Sequence, residues 1–179
     1  MRQTLKTIIL GCVLLTACSA GVNAQRKSEA MPQPNVLADM MLKEKKVRVI
    51  DDAPYIAYLV DSLGYTLKID SAEMRRYGIY YQEMVKRGRI AKVFTKLLNR
   101  NSSIQVELSS QDRDDGKLLR SIKIRPTDRT MIWWTVVKLK EYGLKQTEGD
   151  GAFIDLKGKG LFAGSGSESI IIGCWFDKQ

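Results

Sequence analysis

At Asn101 the spacing of apolar side chains changes. Upstream, Ile90, Val93, Phe94, Leu97 and Leu98 fall at i, i+3, i+4, i+7 and i+8, the repeat of one face of a helix. Downstream, Ile104, Val106 and Leu108 alternate with Gln105 and Glu107, the repeat of a strand with one buried face. Helices ahead of a run of strands predict an α+β domain in which helices cover one face of an antiparallel sheet.

The remaining punctuation fits that plan. Val36 to Lys45 predicts a short helix with Val36, Leu37, Met40 and Met41 on one side, followed by a strand at Val47-Arg48-Val49-Ile50. Asp51-Asp52-Ala53-Pro54 sets acids and an early proline ahead of a helix that runs through Tyr58 and Leu59 to Gly64. Asp70 with Glu73 three residues later has the form of a capping box, opening a helical region from Ser71 to Arg100 that Gly78 and Gly88 interrupt. Beyond Asn101, Asp115-Gly116 turns the first strand into a second over Leu118 to Ile124. Pro126-Thr127-Asp128 starts a helix over Met131 to Tyr142, and Lys138, Lys140 and Gly143 end it. Three short antiparallel strands follow, Ala152 to Lys157, Leu161 to Ala163 and Ser169 to Phe176, joined at Lys157-Gly158-Lys159-Gly160 and Gly164-Ser165-Gly166-Ser167. The expectation is therefore N-terminal helices followed by an antiparallel sheet with one intervening helix.

The first two dozen residues are an address. Arg2 and Lys6 precede a short apolar run from Leu5 to Ala17 that closes on small residues, the anatomy of a secretory signal, and the run is too short to span a bilayer. Two processing sites overlap in it. Leu15-Thr16-Ala17-Cys18 resembles the lipobox of bacterial lipoproteins, a resemblance that covers only the signal region and implies cleavage before Cys18 with lipid attached to that cysteine. Val22-Asn23-Ala24 fits ordinary signal cleavage before Gln25. Both export the protein, as a membrane-anchored lipoprotein or a soluble periplasmic or secreted one. The expected organisation is a signal over 1–24, a polar tether with Pro32 and Pro34 over 25–34, and a single domain over 35–179.

Charge and cysteine narrow the partners. Removal of residues 1–24 takes Arg2 and Lys6 but no acid, leaving 27 basic side chains against 20 acidic ones, +7. Such an excess attracts anions over long range. In an exported protein those are an anionic lipid surface, an acidic glycan or an envelope protein, and nucleic acid is not expected. Cys174 is the one thiol left in the domain, so no internal disulfide supports the fold. There is no His, which removes the commonest general base and the usual transition-metal ligand. No metal and no cofactor are called for.

No catalytic residue is named by any motif. On the helix expected over Ile90 to Leu98, Arg89, Lys92, Lys96 and Arg100 line up along one edge of the apolar stripe, a candidate strip for an anionic partner. Trp133 and Trp134 project about 100° apart on a helix and cannot both face the core, which makes them candidates for an apolar contact. The acidic run Asp112 to Gly116 lacks the spacing of a calcium loop and reads as a hairpin tip. Cys174 lies in the apolar run Ile170 to Phe176 and reads as a core thiol.

The functional expectation is an exported, non-catalytic binding or assembly protein for an anionic surface or envelope partner. Two alternatives compete with it. One is a hydrolase of envelope glycan that uses a carboxylate pair drawn from Asp51, Asp52, Glu73, Glu83, Glu107, Glu141 and Asp155, which requires a cleft holding two acids. The other is an assembly subunit attached through an exposed edge strand within Ala152 to Phe176.

Overall fold

The computed structural model describes residues 29–70, 89–113, 115–146, 153–156 and 160–177. The signal region with Cys18, the helical region expected over 71–88 with Glu73 and Glu83, Asp114 and the turn at 157–159 lie outside the described residues.

Helix α1 (Pro34–Val47) is followed by α2 (Ala53–Ile56), which widens into a π-helical turn over Ala57–Ser62. Then come β1 (Thr66–Asp70), β2 (Arg89–Asn99), β3 (Ser102–Asp112), β4 (Lys117–Pro126), α3 (Thr130–Glu141), β5 (Lys145–Gln146), β6 (Phe153–Leu156), β7 (Leu161–Ser165) and β8 (Ile170–Asp177). The strands form one sheet in the order β1-β2-β3-β4-β8-β7-β6-β5, and every neighbouring pair is antiparallel. This is the α+β class the residue pattern predicts, with helices ahead of the sheet and one between its strands.

Register places the core. Phe94, Val106, Ile124 and Ile170 stand side by side across β2, β3, β4 and β8. The next row holds Leu108, Ile122, Ile172 and Ala163. All eight side chains are buried. Leu37, Ala38 and Met41 of α1 and Met131, Ile132, Val136 and Leu139 of α3 are buried on their helices and join the same core. Each Å² of apolar surface that these rows remove from water contributes roughly 25 cal/mol to the driving force.

The turns behave as their residues require. Gly64, Gly116 and Gly143 adopt φ of +70°, +75° and +99°, the left-handed region that glycine enters without a Cβ penalty. The hairpin tip is closed by the Arg113 amide on the Lys117 carbonyl at 2.9 Å and the Gly116 amide on the Arg113 carbonyl at 3.2 Å.

Four expectations are corrected. The region over 89–99 is a strand, not a helix: it pairs with β3 from Arg89↔Gln111 to Asn99↔Ser102, and a helical edge of Arg89, Lys92, Lys96 and Arg100 does not exist. Val47 to Ile50 is not a strand, because Val47 ends α1, Arg48 turns left-handed, and Val49 and Ile50 follow in irregular backbone. Asp70 ends β1, and the helical region expected from Ser71 begins outside the described residues. The expected tether is docked over its second half: Ala30, Met31 and Pro34 are buried, the Tyr65 hydroxyl donates to the Ala30 carbonyl at 3.0 Å, and the Gln33 amide donates to the Tyr58 hydroxyl at 2.8 Å. The strands over 153–176 are not edges either, since β5 pairs with β6 and the sheet ends at β1 and β5.

Candidate functional site

α1 carries an acid on its buried face. Leu37, Met41 and Glu44 recur at i, i+4 and i+7, so the stripe that packs on the sheet ends in a carboxylate that is only 5% exposed. On β4 the inward positions are Leu118, Arg120, Ile122 and Ile124, and Arg120 is 2% exposed. Each charge is carried inward by the period of its own element, and the two meet. Arg120 Nε donates to Glu44 Oε2 at 3.3 Å and Nη2 to Oε1 at 3.2 Å, a two-point contact between planar groups.

The surrounding groups complete the cluster. The Tyr55 hydroxyl donates to Glu44 Oε2 at 2.7 Å and the Asp51 amide to Oε1 at 2.9 Å. Glu44 therefore accepts four hydrogen bonds, the full capacity of a carboxylate. Arg120 also donates to Asp52 Oδ1 at 2.6 Å and Ser110 Oγ at 2.9 Å, and its guanidinium lies 4.9 Å from the Tyr55 ring centroid. Lys92 Nζ reaches the other Asp52 oxygen at 3.3 Å. Burial opposes the charge on Arg120, but Glu44 and Asp52 outweigh it and hold its pKa above the ordinary value. Burial, with the Glu44 charge and hydrogen bond, pushes the Tyr55 phenol well above its usual range. A carboxylate with every acceptor site filled by fixed donors has no lone pair left for a substrate proton, so Glu44 acts here as a lock rather than as a general base.

What the lock holds is the segment after α1. The Val49 amide donates to the Glu44 carbonyl at 3.3 Å. Together with the Asp51 amide on the Glu44 side chain, this pins both ends of the turn that Arg48 makes at φ 57°. On this fixed turn Val47 is 57% exposed, Val49 56% and Ile50 38%. Among the described residues the other exposed large hydrophobics are Leu67, Leu97 and Trp133, so half of the set lies in one stretch of four positions. Lys43, Lys46 and Arg48 are exposed around it. The adjacent acid Asp51 is engaged locally, its Oδ1 accepting from the Ala53 amide at 2.9 Å.

The residues singled out from sequence are scattered. Lys92 and Lys96 are two apart from Phe94 on the inward register of β2: Lys92 pairs with Asp52, and Lys96 donates to the Leu63 carbonyl with its ammonium 5.9 Å from the Tyr65 ring centroid. Arg89 starts β2 on the opposite register, and Arg100 is exposed in the β2–β3 turn. Arg100 lines an open depression of about 650 Å³ with Asn99, Asn101, Ser102, Thr127 and Asp128. A neighbouring one of about 420 Å³ is lined by Arg125, Arg129 and Glu168 among others. Each holds one acid, so neither has the paired carboxylates a glycosidase needs. Trp133 is 68% exposed while Trp134 packs against the core, as their 100° separation requires. Cys174 is buried, and burial pushes its thiol pKa up, away from the reactive thiolate. Among the described residues no group of three or more His, Cys, Asp or Glu could hold a metal ion.

No family model, curated protein or solved structure matches the chain. The site is thus read from its own geometry. Glu44, Arg120 and the turn after α1 were not singled out from sequence, though a signal was there: an acid on an apolar helix stripe and an arginine on the inward positions of an alternating strand are opposite charges sent to the same core.

Proposed function

We propose that the chain is an exported bacterial envelope protein that works by binding rather than catalysis, engaging an anionic surface or envelope partner. Where processing occurs at the lipobox, Cys18 carries the lipid anchor. Where it occurs after Ala24, the product is soluble in the periplasm or secreted.

The observation that carries this reading is the fixed turn at Val47 to Ile50, where exposed aliphatic side chains and the cations Lys43, Lys46 and Arg48 share one short surface. Apolar side chains held in water by an ordered backbone mark a contact surface. The charge of the domain supports the same reading, and so does the use of the buried Glu44 and the half-buried Asp52, which are spent on Arg120. No helix among the described residues is long and apolar enough to cross a membrane. Ten residues lie between Cys18 and Glu29, at most about 40 Å of chain, and α1 spans about 20 Å from Pro34 to Val47. An anchor at Cys18 is within reach of a bilayer that the turn touches.

Two measurements test this. Intact mass of the membrane fraction yields a lipid adduct that disappears in Cys18→Ala, or a mature start at Gln25 in both. Retention of the processed protein on isolated envelopes weakens as salt rises. A full-length, unprocessed product in the cell interior, or no retention on envelopes at low salt, overturns the reading.

A further inference from the structure

We infer that the turn from Val47 to Ile50 is a membrane-contact finger, which seats Val47, Val49 and Ile50 at the headgroup–acyl boundary of an anionic bilayer while Lys46 and Arg48 meet the lipid phosphates. The inference rests on the reading of the chain as an envelope-binding protein and names its partner.

Three observations lead to lipid rather than protein. The first is composition: the exposed apolar groups are aliphatic, Val47 between Lys46 and Arg48, and Val49 and Ile50 between Arg48 and the exposed Asp51, whose carboxylate accepts from the Ala53 amide; Lys43, Lys46 and Arg48 are all exposed. Protein interfaces are depleted in lysine and favour aromatic anchors, whereas a basic segment with aliphatic side chains suits an anionic lipid surface. The second is size. Four residues cannot cover the 1,000 Å² or so that a stable protein interface needs, but a bilayer asks only for insertion of a few side chains, with affinity that adds to any anchor already present. The third is order. The Val49 amide is tied to the Glu44 carbonyl and the Asp51 amide to the Glu44 carboxylate, which Arg120 and Tyr55 hold from the core side. The aliphatic side chains are presented outward before any partner arrives, so little conformational freedom is lost on contact. Used with a lipid at Cys18 the finger fixes how the domain faces the membrane. Without one it gives weak, reversible attachment.

The test uses the processed protein as cells export it, labelled at Val49→Cys with a polarity-sensitive dye and mixed with protein-free vesicles. One set is phosphatidylcholine alone and the other contains phosphatidylglycerol in equal amount. Cys174 is buried, which keeps the label on the introduced thiol. The expected result is a blue shift on the anionic vesicles, a much smaller one on the neutral vesicles, and none from the same dye at Glu141→Cys, an exposed position on α3. Adding Lys46→Ala with Arg48→Ala lowers the ratio of inserted to exposed dye about 10- to 30-fold on anionic vesicles. An unshifted spectrum at Val49→Cys on both vesicle types overturns the inference. A shift on isolated envelopes but not on protein-free vesicles overturns it in favour of a protein or glycan partner and leaves the envelope-binding reading standing. No association with envelopes or vesicles overturns both.

Discussion

Arg120 of β4 and Glu44 of α1 hold each other through two hydrogen bonds, at 3.2 and 3.3 Å, across 76 positions of the chain. Both are almost wholly buried, and the pair lies where α1 meets the centre of the sheet. A buried ion pair contributes modest net stability because both charges lose their water, yet removal of one partner strands the other. The pair therefore specifies how α1 docks more than it adds to the driving force, and through Glu44 it sets the course of the chain that leaves α1.

Glu44→Ala leaves the Arg120 guanidinium short of its main partner and removes the acceptor of the Asp51 amide. The expected loss is about 3–5 kcal/mol in denaturant unfolding. The turn is released at the same time, so trypsin cleavage after Arg48 becomes faster than global unfolding explains. The double variant Glu44→Ala, Arg120→Met, which has no stranded charge, recovers part of the loss. A Glu44→Ala protein within about 0.5 kcal/mol of wild type would show that Asp52 alone can neutralise Arg120.

The second face of the sheet carries a separate constraint. Phe162 pairs with Gly173 across β7 and β8, and its ring lies over that glycine to stack on Trp175, with ring centroids 5.9 Å apart. Arg113 covers the same indole at 5.2 Å. A Cβ at Gly173 would stand 2.7 Å from Phe162 Cε1 and 2.9 Å from Cε2, inside any real contact distance. Gly173→Ala is expected to cost about 1–3 kcal/mol by overpacking. With Phe162→Ala already present, the same change costs little. Equal costs in both backgrounds, measured as a double-mutant cycle, would place the strain elsewhere.

Alkaline pH is expected to weaken the fold through its tyrosines. Burial and the hydrogen bond to Asp39 raise the Tyr142 phenol to about 12, and burial raises Tyr55, Tyr58 and Tyr65 above the ordinary value of 10 as well. A raised pKa means the folded state keeps a proton that the unfolded chain gives up. The contribution is complete below pH 10 and is lost as pH climbs from there through the folded values. Unfolding followed by tyrosinate absorbance should become steeper with pH above 10, and Tyr142→Phe should flatten the part between 10 and 12. A stability that stays level from pH 9 to 12 would contradict this linkage.

The order of helices and strands was legible in the chain because most elements carry a clean period and proper punctuation. The hairpin at Gly116, the helix ended by Gly143 and the buried strand around Cys174 all follow from it. β2 was not legible, for a physical reason. Lys92 and Lys96 occupy the inward register beside Phe94, satisfied by Asp52 and the Leu63 carbonyl, and two inward lysines erase the alternation a reader looks for. What remained of the apolar residues happened to fit a period of 3.6. The turn at Val47 to Ile50 failed in the opposite way: its β-branched run favours a strand locally, and Glu44 overrides that by capturing the backbone at Val49 and Asp51. Local preference lost in both places to partners far away in sequence.

Arg48 offers a test that separates stability from function. It is the non-glycine residue at positive φ among the described residues, at 57°, in the position after a helix where glycine is commonest. An L side chain there costs roughly 1 kcal/mol relative to glycine. Arg48→Gly is therefore expected to stabilise the fold by about 0.5–1 kcal/mol while it removes a cation from beside Val47 and Val49. On anionic vesicles the more stable variant should bind less well than wild type. Val47→Asp with Val49→Asp should also bind less, with unfolding free energy within about 0.5 kcal/mol of wild type because both side chains are exposed. If Arg48→Gly gains stability and keeps full binding, the arginine at this strained position has no part in the contact, and Lys43 and Lys46 carry the charge alone.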